Sequence, residues 1–138
     1  MDVPLFLAAM LMLGAAGCGG QALVPVAGQV VFEEDGEPVR TGRIEFRGEA
    51  PNARAVGVLD PEGRFQLRTD EGKAGCPPGE YDIVIVQLVS VEHQSLESHD
   101  HGRSLPRKYA DYYTSGLRAS VPEAGVEDLV LRVSSSAK

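Results

Sequence analysis

A chain of 138 residues is long enough to bury one hydrophobic core and too short for two comfortable domains. Its formal charge of −7, with 13 scattered basic residues and none before Arg40, argues against a nucleic-acid surface, which needs a basic patch to neutralise phosphates. At 43% hydrophobic and 24% charged residues, the composition is that of a folded globular protein.

The first segment differs from the rest. Residues 3–17, VPLFLAAMLMLGAAG, form a stretch of 15 apolar or small residues. This is shorter than the roughly 20 needed to span a bilayer as a helix, and it ends in small residues before a cysteine, the pattern of a signal peptide. Ala15, Ala16, Gly17 and Cys18 resemble the lipobox of bacterial lipoproteins, which implies lipid attachment at Cys18. The expected organisation is a signal peptide over 1–17, a lipidated tether over 18–25 and a folded domain over 26–134. The membrane is then a partner through the lipid on Cys18, and the protein belongs to the cell envelope, facing the periplasm or the exterior. The tether reading of GGQALVP follows from its glycines and its lack of periodicity.

From Val26 the chain repeats a short alternating run followed by a turn. VAGQVVFEE places Val26, Val30 and Phe32 on one face, and GRIEFRGE places Ile44 and Phe46 inward with Arg43, Glu45 and Arg47 outward. Asp35-Gly36 between them tolerates positive φ and predicts a hairpin turn. ARAVGVLD and RFQLRTD, joined by PEG, predict a second hairpin with Val56 and Val58 facing the same core as Phe65 and Leu67. EYDIVIVQLV is nearly continuous in apolar residues and predicts a central strand covered on both faces. GLRASV and VEDLVLRVS close the series, the latter with Leu129, Leu131 and Val133 inward. Seven short strands with 16 glycines and 9 prolines marking the turns predict an all-β, seven-stranded antiparallel β-sandwich.

The ordered set DGEPV, LDPEGRFQL, PPGEYDIVIV and LPRKYADYYTSGL resembles the carboxypeptidase regulatory-like, or transthyretin-like, domain of bacterial lipoproteins, over about residues 18–133. The resemblance implies a prealbumin-like sandwich with Greek-key connections, tethered to a membrane and without catalysis. It also makes Tyr109 and the turn Thr114–Leu117 recurring positions, with Tyr109 pinning a long connection across the sandwich.

Residues with chemical potential are few. Cys76 lies in GCPPGEY, a turn whose neighbours Gly75, Pro77 and Pro78 supply no base to activate a thiol, and it reads as an incidental loop cysteine. His93, His99 and His101, interleaved with Glu92, Glu97 and Asp100, are suited by type to zinc or copper, but no third ligand stands at a fixed spacing. The stretch 92–103 therefore reads as a solvated insertion, and no metal or cofactor is implied. Tyr112 and Tyr113 are the candidates for ligand contact, since aromatic faces stack on sugars. The terminal motif of the hydroxyisourate hydrolases, the iron ligands of the intradiol dioxygenases and a Ser-His-Asp order are all missing. Two readings follow: a lipid-anchored, non-catalytic module that is structural or binds another envelope protein, and a surface protein that binds a carbohydrate or small ligand through residues 92–113.

Overall fold

The computed structural model describes residues 22–50, 53–87 and 103–136. These residues are all-β, in two sheets. The strands are β1 (Val26–Phe32), β2 (Arg43–Gly48), β3 (Arg54–Val58), β4 (Arg64–Gln66), β5 (Arg68–Thr69), β6 (Gly79–Val86), β7 (Leu117–Val121) and β8 (Val126–Val133), with one 3-10 turn at Arg107–Ala110. One sheet has the order β4-β1-β8 and the other β5-β3-β2-β6-β7. Val30, Phe32, Phe65, Leu131 and Val133 from the first sheet join Ile44, Phe46, Ile83, Ile85 and Val121 from the second in a single buried cluster. Phe46 of β2 meets Phe65 of β4 with ring centroids 6.1 Å apart, a direct contact between the sheets.

The alternation expected for β2 and β8 is present, because in each strand one face is apolar and one is charged. Ile44 and Phe46 are buried between exposed Arg43 and Arg47, and Leu131 and Val133 are buried beside exposed Arg132. The apolar run of β6 lies inside its sheet, between β2 and β7. Its Tyr81, Ile83 and Ile85 face the core, and Val84 on the other face is only 4% exposed.

Three expectations are corrected. First, eight strands are present among the described residues where seven were expected, because the run from Arg64 divides at Leu67. β4 pairs antiparallel with β1 and β5 with β3, so the chain changes sheets at Leu67. That residue is fixed from both sides: its N–H donates to Val26 O at 2.9 Å, and its carbonyl accepts from Gly75 N at 2.8 Å.

Second, the pairing is not purely antiparallel: β1 and β8 run parallel. The chain leaves β7 through Pro122–Gly125 and enters β8 beside the start of β1, where Val126 N–H donates to Pro25 O at 2.9 Å. Both strands therefore set out from the same end.

Third, neither expected hairpin forms as drawn. The turn at Asp35-Gly36 is real, with Asp35 accepting the Glu37 N–H, but the returning chain pairs with β1 only through the Phe32–Glu37 and Val30–Val39 contacts before crossing to the other sheet as β2. In β3 the inward residues are Ala55 and Gly57, while Val56 is half-buried and Val58 is 75% exposed. The cause is crowding. A side chain at Gly57 would meet Gln66 O at 2.8 Å and Ile44 Cγ2 at 3.3 Å, so the position that faces the switching chain must be small.

Candidate functional site

The best-formed polar arrangement lies on the outer face of the five-stranded sheet, where Tyr112 of the connection between β6 and β7 reaches it. Register decides which side chains meet there. Glu45 on β2 stands opposite Val56 on β3 and Val84 on β6, and Arg47 stands opposite Arg54. Two arginines directly opposite would repel, and each is turned to a different partner. Arg54 grips Glu45 with two hydrogen bonds, Nε to Oε1 and Nη2 to Oε2, both 3.0 Å, and reaches Asp70 through Nη1 at 2.9 Å. Arg47 instead lies over the ring of Tyr112, 3.7 Å from its centroid. The Tyr112 hydroxyl completes the group by donating to Glu45 Oε1 at 2.9 Å.

The electrostatic consequence is fixed protonation. The hydrogen bonds from Arg54 hold the Glu45 carboxyl below its ordinary value, against the opposing effect of burial. Burial, followed by the hydrogen bond to Glu45, raises the pKa of Tyr112. A carboxylate that stays ionised and a phenol that stays protonated do not exchange protons near neutrality. The arrangement fastens a loop to a sheet, and general acid–base chemistry does not follow from it.

The same loop is fastened along its length. Arg103 pairs with Asp35 and lies 4.4 Å from the ring centroid of Phe32, and Leu105 N–H donates to Gln87 Oε1 at 2.7 Å. Tyr109, buried in the 3-10 turn, accepts the Ser134 N–H at 2.7 Å, which ties the loop to the far end of β8. Ser115, a buried polar residue, donates from Oγ to the carbonyl of Ile83 on β6. Asp111 Oδ1 accepts the Tyr113 N–H at 2.8 Å, forming a local turn that sends Tyr113 outward at 98% exposure.

Tyr112 and Tyr113, named together from the sequence, thus take opposite directions: one is locked to the sheet and the other is bare. Tyr109 is placed where pinning requires. Cys18, His93, His99 and His101 lie outside the described residues. Among the described residues, no three His, Cys, Asp or Glu side chains gather where a metal ion could be held. No helix of the described residues is long and apolar enough to cross a membrane.

Cys76 departs from the loop reading. It is fully buried, pairs through its backbone with Val24 (N–H to carbonyl at 2.9 and 3.1 Å), and its thiol pKa is raised by burial. Tyr81 beside it donates to Pro77 O at 2.6 Å, closing the turn before β6. The thiol is a core group and not a nucleophile.

The residues that sequence reasoning missed are Glu45, which it left as a solvated outward position, and Arg54 and Asp70, to which it gave no role. The available signal was a carboxylate flanked by two arginines on alternate outward positions of β2. Its link to Arg54 needed the strand register.

Separately, a shallow groove of about 630 Å³ lies across the outer face of the three-stranded sheet, bordered by Gln29, Val58, Arg64, Gln66 and Val130. Comparison with protein-family models, with curated proteins and with solved structures finds no match.

Proposed function

We propose that the chain is a lipid-anchored, non-catalytic β-sandwich of the prealbumin-like, carboxypeptidase regulatory-like type, with Greek-key connections, that serves as an interaction module of the cell envelope. The observation that carries this reading is Tyr113: a wholly exposed aromatic side chain on a turn fastened to both sheets through Tyr109, Tyr112 and Ser115. An exposed aromatic on a fastened turn offers contact area at a small entropic cost, since a tyrosine has only two side-chain torsions to order, which is what binding surfaces use. The single core shared by the two sheets supports the sandwich. The anchoring rests on the lipobox-like run Ala15–Cys18 of the sequence. Val24 pairs with Cys76 at one end of the domain, while Gln87 and Arg103, which flank the histidine stretch, sit at the other end beside Thr41 and Asp35. An anchor at Cys18 is joined to the domain at its Val24 end.

Palmitate labelling and membrane fractionation of the wild type and Cys18→Ser test the anchor. Labelled, membrane-bound wild type and an unlabelled, soluble but folded variant are expected; soluble, unlabelled wild type overturns it. Crosslinking on intact cells from a photoreactive group at position 113, compared with one at exposed Glu123, tests the surface. Adducts specific to position 113 are expected, and equal yields at both positions overturn the reading. The exposed ring also suits a sugar face, so a specific glycan adduct at position 113 moves the partner from protein to carbohydrate.

A further inference from the structure

Among the described residues β8 is an edge strand, eight residues long and bonded to β1 on one side. Its backbone parity is set by two contacts. The Val133 carbonyl accepts from Glu33 N–H at 2.8 Å, so the backbone groups of residue 133 face β1. Ser134 N–H points the other way and meets the Tyr109 hydroxyl. Stepping back in twos along the unbroken register from Val133 to Leu129, the N–H and C=O groups of Arg132 and Val130 face away from β1, onto the open edge. Asp128, the next residue of the same parity, lies where the strand bulges against β1.

The side chains of these three residues are exposed, Val130 at 48%. Among the described residues, no hydrogen bond or ion pair holds the side chain of Asp128 or Arg132. Four positions apart on an extended strand they are separated by about 13 Å, too far to pair with each other. The other long edge is different: on β7, Arg118 pairs with Asp82 and Ser120 bonds Glu80, so its outward groups are already used.

We infer that β8 is the self-association edge of the protein: two copies pair their β8 strands antiparallel about a twofold axis at Val130, setting Asp128 of each against Arg132 of the other. The sequence Asp-x-Val-x-Arg is its own complement in this arrangement. Val130 meets Val130, and the two opposite-charge pairs flank it on the same face. The outward backbone groups of Val130 and Arg132 gain partners, and Tyr109, by occupying Ser134 N–H, ends the pairing at Arg132. Two three-stranded sheets become one of six strands. This deepens the interaction reading by naming a second copy as a partner, but it rests on β8 alone and needs neither the lipid nor Tyr113.

Sedimentation equilibrium of the full chain in mild detergent tests it, with circular dichroism to check the fold of each variant. A reversible monomer–dimer equilibrium is expected. Arg132→Asp should weaken it by about tenfold or more, since like charges then face each other twice. The exchange Asp128→Arg/Arg132→Asp should restore the wild-type constant. A monomer at all concentrations, association indifferent to Arg132→Asp, or failure of the exchanged variant to recover each overturns the inference. None of these results bears on crosslinking from position 113, so the two readings fail separately.

Discussion

The hydroxyl of Tyr109 accepts the backbone N–H of Ser134 at 2.7 Å, joining the middle of a long connection to the end of a strand 25 positions away. The ring is buried at 5% exposure, so the residue supplies apolar area and an acceptor together. Tyr109→Phe keeps the ring and removes the acceptor. We expect a loss of about 1–2 kcal/mol in urea unfolding and faster hydrogen exchange at Ser134 with the fold intact. An unchanged Ser134 exchange rate contradicts the pinning.

Glu45 gives a pH prediction. Its folded-state pKa lies below the ordinary 4.5, chiefly through Arg54, so its stabilising contribution is fully present above the unfolded value and disappears as pH falls through the folded one. The stability difference between wild type and Glu45→Gln should therefore be largest near pH 7 and shrink on acidification below about pH 4.5. Urea midpoints of both proteins at pH 7 and pH 3 measure this, and a constant difference contradicts it.

Two glycines separate strain from crowding. Gly75 has φ +92° and a Cβ there would stand 2.1 Å from Val24 O, while Gly72 has φ +84° with nothing within 4 Å. Gly72→Ala should lose about 1–2 kcal/mol from the left-handed backbone alone. Gly75→Ala should lose clearly more, because it also breaks the Val24–Cys76 pairing. Equal losses in thermal unfolding contradict the close approach.

The register of β3 and β4 can be checked at one residue of each. Phe65 is 3% exposed against Phe46, and Phe65→Ala should cost about 3–5 kcal/mol. Val58 is 75% exposed, and Val58→Thr should change stability by no more than about 0.5 kcal/mol. Chemical denaturation of the two variants distinguishes this register from the opposite one, in which Val58 is the costly position.

What could be read in the sequence followed from local pattern. β2 and β8 were visible because their apolar residues recur with the period of a strand, β6 because its apolar run is nearly continuous, and Phe46 and Phe65 were correctly placed inside. Partner choice was not visible. Nothing in the alternation of β1 says that its neighbours are β4 and β8 rather than β2, because strands in different sheets carry the same pattern. β3 was read one residue out because valine is the better core residue by type, whereas Gly57 faces inward by necessity: the chain that leaves one sheet for the other passes against it. The polar group was hidden for a similar reason. Glu45 and Arg54 are nine positions apart, and only the antiparallel register brings them within reach.

The parallel union of β1 and β8 has a mechanical consequence. The described chain enters at Val24, at the start of β1, and leaves after Val133, at the end of β8, so tension applied between these points pulls the two strands along each other in opposite directions. In that shear geometry the backbone bonds from Gly28–Leu129 to Phe32–Val133 carry the load together and cannot open one at a time like a zipper. A domain held at its N-terminal side and gripped near its C-terminal side is thereby built to bear force without unravelling.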